Sequence, residues 1–161
     1  MNSLATRHIL VMRHAEKPDD AGDPNLSPAG YARAKQLATY IPDTFGKPDV
    51  IIAAANSAES LRPDETATPL AQQCGLDVQM PYPDDQFVDA AQLMLTGTGY
   101  KNQPLIVCCW HHGKLPKPMH ALGCEKGSYP DPWDETVFNL ILKVGIRADG
   151  TIKVDQMPEP F

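Results

Sequence analysis

A three-layer α/β sandwich is the fold the sequence predicts. It has a mostly parallel central sheet with an antiparallel edge strand or hairpin, and helices on both faces. Three observations predict it. Short, unbroken apolar runs occur at 8–12, 49–54 and 105–109, the pattern of strands buried on both faces. Segments of helical period separate those runs. Near the C-terminus two apolar stretches flank a turn signal, which reads as a hairpin at the sheet edge.

The elements follow in chain order. His8-Ile9-Leu10-Val11-Met12 is the first strand, and it gives way to polar residues 13–17 and a Pro/Asp/Gly-rich loop through Asn25. Ser27 is a good N-cap and Pro28 suits the first helical position. Tyr31, Ala34, Leu37, Ala38 and Ile41 recur at helical spacing, so a helix is expected over about 28–41, stopped by Pro42. Residues 49–54 form the second strand. Ala67, Leu70, Ala71 and Cys74 mark a second helix closed by Gly75, with Pro69 inside it. A weaker helix is expected over about 85–95. The third strand, 105–109, runs into Trp110-His111-His112-Gly113, and a short proline-interrupted helix over about 116–122 follows. Residues 137–146 read as a strand, Ala148-Asp149-Gly150 as a turn and 151–154 as its hairpin partner.

No repeat or domain boundary is visible, and the 161 residues, 1–161, read as one domain. A hydrophobic fraction of 42% and a charged fraction of 21% suit a globular core and argue against disorder. The net charge of -6 argues against a broad nucleic-acid surface but leaves room for a local basic pocket. No apolar run approaches the roughly 20 residues of a membrane span, and Met1 to Arg7 lacks the apolar stretch of a secretory signal. Cys74, Cys108, Cys109 and Cys124 form no Cys-x-x-Cys pair and are too sparse for a disulfide framework. Buried thiols in a reducing cytoplasm are expected. Cys108 and Cys109, adjacent in a strand, should face opposite sides of the sheet.

In open α/β sheets, ligands bind beyond the carboxyl ends of the strands. Arg13-His14 follows the first strand. Arg62 lies a short loop beyond the second, and His111-His112-Gly113 follows the third. Two of five arginines and three of five histidines therefore gather at one rim if the strands are parallel. Arginine and histidine without a dense carboxylate cluster suggest an anion, most simply a phosphoryl group. Guanidinium forks match phosphate oxygens bidentately, and imidazole can carry a phosphoryl group covalently. Such a ring is chemically sufficient without a metal or an organic cofactor, because phosphoryl transfer is mostly positioning and charge neutralisation.

Four segments in order resemble the histidine phosphatase superfamily, the phosphoglycerate mutase-like group. Ile9 to Lys17 is similar to its strand followed by Arg-His-Gly, with Ala15 in place of the glycine. Asn25-Leu26-Ser27-Pro28-Ala29-Gly30 is similar to its leucine-(Ser/Thr)-x-x-Gly helix start. Ser60-Leu61-Arg62-Pro63-Asp64-Glu65-Thr66-Ala67 resembles its second arginine segment, and Ile106 to Gly113 the strand leading to its second catalytic histidine.

The resemblance implies a metal-independent phosphatase in which His14 attacks phosphorus and becomes phosphohistidine. Arg13, Arg62 and His112 would hold the phosphoryl oxygens, and water would then release phosphate. His112, directly before Gly113, takes the second catalytic position, with His111 bordering the pocket. Lys17 is either a further phosphate contact or a solvated lysine. The attacking nitrogen of His14 must be unprotonated, so the other ring nitrogen needs a partner, expected to be a backbone carbonyl near the start of the loop. Where many members of the group place a glutamate, this chain has Pro83-Asp84-Asp85-Gln86-Phe87. Asp85 is the first choice as general acid and Asp84 the second. The expected partner is a phosphorylated small molecule or phosphoprotein, with neither nucleic acid nor membrane. Two alternatives stand beside this: a non-catalytic phospho-ligand binder on the same scaffold, and a metallohydrolase using the histidines.

Overall fold

The computed structural model describes residues 6–161. Ten elements alternate along the chain: β1 (Thr6–Arg13), α1 (Pro28–Phe45), β2 (Val50–Ala53), α2 (Arg62–Cys74), β3 (Val78–Gln79), α3 (Phe87–Thr96), β4 (Leu105–Trp110), α4 (Pro116–Ala121), β5 (Leu140–Arg147) and β6 (Ile152–Pro158). The strands form one sheet in the order β3-β2-β4-β1-β5-β6. The first four in that order run parallel, and β5 and β6 add an antiparallel hairpin beside β1.

Because side chains alternate across a strand, the unbroken apolar runs feed two cores. Ile9, Val11, Ile52, Ile106 and Cys108 pack on one face with Ala91, Met94 and Met119 from α3 and α4. Leu10, Met12, Ile51, Val107 and Cys109 pack on the other with Leu37, Ile41, Leu70 and Cys74 from α1 and α2. The two adjacent cysteines thus fall in opposite cores, and all four cysteines are free and buried. No described helix is long and apolar enough to cross a membrane.

The structure differs from the sequence expectation in several boundaries. Helix α1 does not stop at Pro42 but continues to Phe45, and Gly46 closes it with its N–H on Pro42 O. Pro42 gives up one hydrogen bond and crowds the turn before it, but only three helical residues follow, so the helix runs out its last turn. Helix α2 begins at Arg62, earlier than its apolar spacing suggested, because Pro63 suits a first turn and Asp64 and Glu65 complement the helix dipole. Two-residue β3 left no readable apolar run, and the hairpin strands lie later than expected, at Leu140–Arg147 and Ile152–Pro158.

The parallel register positions the site. Arg13 pairs with Trp110 and Ala53 with Cys109, so β1, β2 and β4 end at one rim. Helix α1 then presses its first turn against the loop that leaves β1. Ser27 Oγ caps the helix by accepting from Gly30 N–H at 3.1 Å, while Ser27 N–H donates to Glu16 O at 3.0 Å. A Cβ on Gly30 would lie 2.2 Å from Glu16 O, so only glycine permits this approach.

Candidate active site

Arg13 is the last residue of β1, and His14 follows it into the rim; each is only 2% exposed. The His14 N–H extends the parallel ladder by one rung, donating to Trp110 O at 3.0 Å. The Ala15 N–H then donates to Thr66 Oγ1 at 2.9 Å, and that hydroxyl donates to Arg62 O at 2.7 Å. Thr66, fully buried on α2, therefore ties the loop after β1 to the start of the helix that carries Arg62. Below it, Arg33 grips Glu16 through Nε at 3.0 Å and Glu159 through Nη1 at 2.8 Å, fixing the far side of the loop.

His14 Nδ1 lies 2.7 Å from Ala15 O. A carbonyl only accepts, so Nδ1 carries the proton and the Nε2 lone pair is left for chemistry. Burial pushes the His14 pKa down to about 3, and the nearby charges of Arg13, His111 and Arg62 push the same way against the Ala15 bond. The imidazole is neutral at physiological pH.

Arg13 Nη1 donates to Glu135 O and sits 3.5 Å from Val137 O, while the guanidinium lies 3.8 Å from the centroid of the Phe138 ring. Its Nε and Nη2 are buried and have no hydrogen-bond partner. Those two N–H groups make a side-on fork whose geometry can match two oxygens of a tetrahedral anion. Burial lowers the Arg13 pKa to about 10, so the group stays cationic at neutral pH. Arg62 donates from Nε to Asn25 O at 3.0 Å and from Nη2 to Asp23 O, which orients it along the loop before α1.

The histidine nearest His14 is His111, not His112. Their ring centroids are 5.3 Å apart in an edge-to-face arrangement. The physical reason is register: His14 and His111 each lie one residue beyond the paired Arg13 and Trp110, so parallel strands set them side by side. His112, one step further into a turn, lines a separate groove instead. The ring beside His14 is therefore that of His111, whereas the sequence reading favours His112 for the second position. Burial and the charges of Arg62, Arg13 and Lys114 hold His111 at about 4. Burial, then Arg13 and Lys17, lower His112.

Arg62, His111, Asp84, Asp85 and Lys114 share a polar cavity of about 480 Å³. Asp84 is half-buried, its backbone carbonyl accepts the Trp110 indole N–H at 2.9 Å, and its Oδ1 is buried without a partner. Burial raises its pKa, against the pull of Lys114. Asp85 is exposed. It is thus Asp84 that turns a buried, unpartnered carboxyl oxygen toward this cavity, whereas the sequence reading puts the exposed Asp85 first. Lys17 is exposed and makes itself felt as a charge near His112.

Phe138 was not singled out from the sequence. Its ring is 6.3 Å from that of His14 and covers Arg13, yet nothing local in 134–139 signals a contact with residues at the start of the chain. Thr66 was visible only as part of the second arginine segment. Among the described residues no group of three or more His, Cys, Asp or Glu side chains is arranged to hold a metal ion.

No protein-family model matches the chain, and no curated protein sequence matches it. Solved structures do match its backbone. A protein histidine phosphatase SixA, solved with tungstate, gives a TM-score of 0.64 at 17% identity, over 94% of this chain and 96% of that one. A phosphoglycerate mutase from Plasmodium falciparum gives 0.66 at 13% identity, over 95% and 91%. A mycobacterial glucosyl-3-phosphoglycerate phosphatase gives 0.60 at 14% identity, over 95% and 99%. The fold of this chain is that of the histidine phosphatase, phosphoglycerate mutase-like group.

Proposed function

We propose that this chain is a phosphatase that hydrolyses phosphate monoesters through a phosphohistidine on His14, without a metal. The observation that carries the proposal is the pairing of a neutral, Nδ1-anchored imidazole with an adjacent arginine whose Nε–Nη2 fork has no protein partner.

The reaction follows from these groups. The Nε2 lone pair of His14 attacks phosphorus while the bond to the ester oxygen breaks, and Asp84 gives its proton to the departing oxygen. The imidazole, now bonded at Nε2 and protonated at Nδ1, is positive, and the Ala15 carbonyl stabilises it. Arg13, Arg62 and His111 neutralise the equatorial oxygens. A water then loses a proton to Asp84 and attacks phosphorus. The P–N bond breaks, its electron pair returns to Nε2, and phosphate leaves. Since His14 and Arg13 are nearly inaccessible, entry of the phosphoryl group requires a local opening, and Phe138, which touches both, is the side chain to displace.

The test is turnover of p-nitrophenyl phosphate with excess chelator present. Wild-type protein should release phosphate and, after rapid quenching, carry an acid-labile, base-stable phosphoryl group. His14→Ala should lose at least about a thousandfold in rate and all of the label. Undiminished turnover in that variant refutes the proposal.

A further inference from the structure

We propose that the groove beside His112 seats the leaving group of the substrate, and that it takes an aryl-sized apolar ring carried by a small phosphate monoester. The inference rests on the phosphatase reading and names the substrate class for it.

The groove is a cavity of about 760 Å³, within the size range of small-molecule sites. Its walls are largely apolar: Phe87, Val88, Pro116, Ala121, Tyr129 and Trp133. Val88 is 48% exposed there, one of two large apolar side chains left so open among the described residues. The Trp133 indole N–H is already used, donating to Val137 O at 2.9 Å. The indole therefore offers the groove only carbon and π surface.

Two physical links join the groove to the phosphoryl site. The Val137 carbonyl that holds Trp133 also lies 3.5 Å from Arg13 Nη1. On the other wall, His112 lines the groove while its neighbour His111 touches His14. An ester whose phosphorus sits between Arg13 and His14 thus has an apolar groove on the far side of His112. The cavity on the Arg62 side is lined by Asp84, Asp85, Lys114 and Glu59 and suits oxygen atoms rather than a ring. Charge narrows the class further. Lys117 and Lys126 line the groove against a single acid, Asp131, although the whole chain carries -6. A neutral or anionic ring is favoured over a cationic one.

The test compares 2-naphthylmethyl phosphate with ethyl phosphate, two primary alkyl esters that differ mainly in the ring. Wild-type kcat/KM should favour the naphthylmethyl ester by at least about thirtyfold, as expected for burying that surface. Val88→Asp, which places a charge in the groove, should lower that preference at least about tenfold. Ala121→Trp, which fills the groove from α4, should do the same. A preference near one in wild-type protein, or one that neither variant alters, overturns the proposal. So does a phosphopeptide without an aromatic residue that is turned over faster than the naphthylmethyl ester. A binding measurement separates this failure from failure of the phosphatase reading. Titration of His14→Ala with 2-naphthylmethanol should move the indole N–H resonance of Trp133, which lines the groove, and leave that of Trp110, which is bonded to Asp84 O and does not line it, in place. Movement without any esterase turnover would retire the phosphatase reading and keep the ring site, whereas turnover without movement would retire the ring site alone.

Discussion

His14→Gln should change how the protein responds to acid, and by an amount the structure sets. In the folded chain the His14 pKa is about 3, against an ordinary value of 6.5. Below pH 6.5 the unfolded chain binds a proton at this residue that the folded chain refuses. The contribution is therefore complete above 6.5 and is lost progressively as pH falls toward 3. Each pH unit in that window is worth about 1.36 kcal/mol. At pH 4.5, two units down, the loss through His14 is about 2.7 kcal/mol, a large share of a typical folding stability of roughly 5–15 kcal/mol. The residue is almost wholly buried, so solvent screening does not reduce this figure. Glutamine keeps a donor for Ala15 O and has no proton to gain. The stability gap between variant and wild type should shift by about 2.7 kcal/mol in favour of the variant between pH 7.5 and 4.5. The titration of Glu159 is present in both proteins and cancels in the comparison, and making both measurements in a His111→Gln background removes the imidazole coupled to His14. Urea unfolding followed by tryptophan fluorescence at the two pH values measures it. Parallel stability profiles would mean that the folded imidazole accepts a proton in the ordinary range, and the neutral, desolvated nucleophile would be lost with it.

Two further changes probe the acid and the loop. Asp84→Asn should slow alkyl phosphate hydrolysis by about 10²–10³ and acyl or p-nitrophenyl phosphate far less, while Asp85→Asn stays within about threefold on both; equal losses across leaving groups would remove Asp84 from the acid role. Because its pKa is raised by burial, alkyl phosphate turnover should also fall as pH rises through that pKa and the acid form is lost. Gly30→Ala forces a Cβ against Glu16 O and should destabilise by about 1–3 kcal/mol, lowering Tm by roughly 3–10 °C in calorimetry. An unchanged Tm would show that the contact between α1 and the loop is slack.

The three-layer fold and its rim were legible because parallel strands buried on both faces must be apolar throughout, and 8–12, 49–54 and 105–109 are. Arg62 was placed at that rim by the short loop after the second apolar run, and the resemblance matched it to a second arginine segment, although its apolar neighbours alone would have started α2 later. What could not be read is what depends on register or on distant contacts. The choice between His111 and His112 turns on the pairing of Arg13 with Trp110, a relation between strands almost a hundred residues apart. The choice between Asp84 and Asp85 turns on which carboxyl is turned inward beside Trp110. The placing of Phe138 over Arg13 turns on how an aperiodic segment drapes across the sheet end. In each case local pattern narrows the answer to neighbours, and tertiary packing selects between them.

The 5.3 Å between the His14 and His111 rings is close to the sideways repeat of a β-sheet, about 4.8 Å. The two imidazoles take their separation from main-chain pairing, a ruler that no surface residue sets. The walls of the groove, His112 and Gly113 apart, come by contrast from α3, α4 and the segment before β5, outside that ruler. Those walls can be exchanged as a unit without resetting the gap between the rings. On the proposed function the scaffold is a chassis for engineering, with the ring pair set by the sheet, α3 and α4 open to redesign, and the 135–138 stretch that anchors Arg13 kept in place.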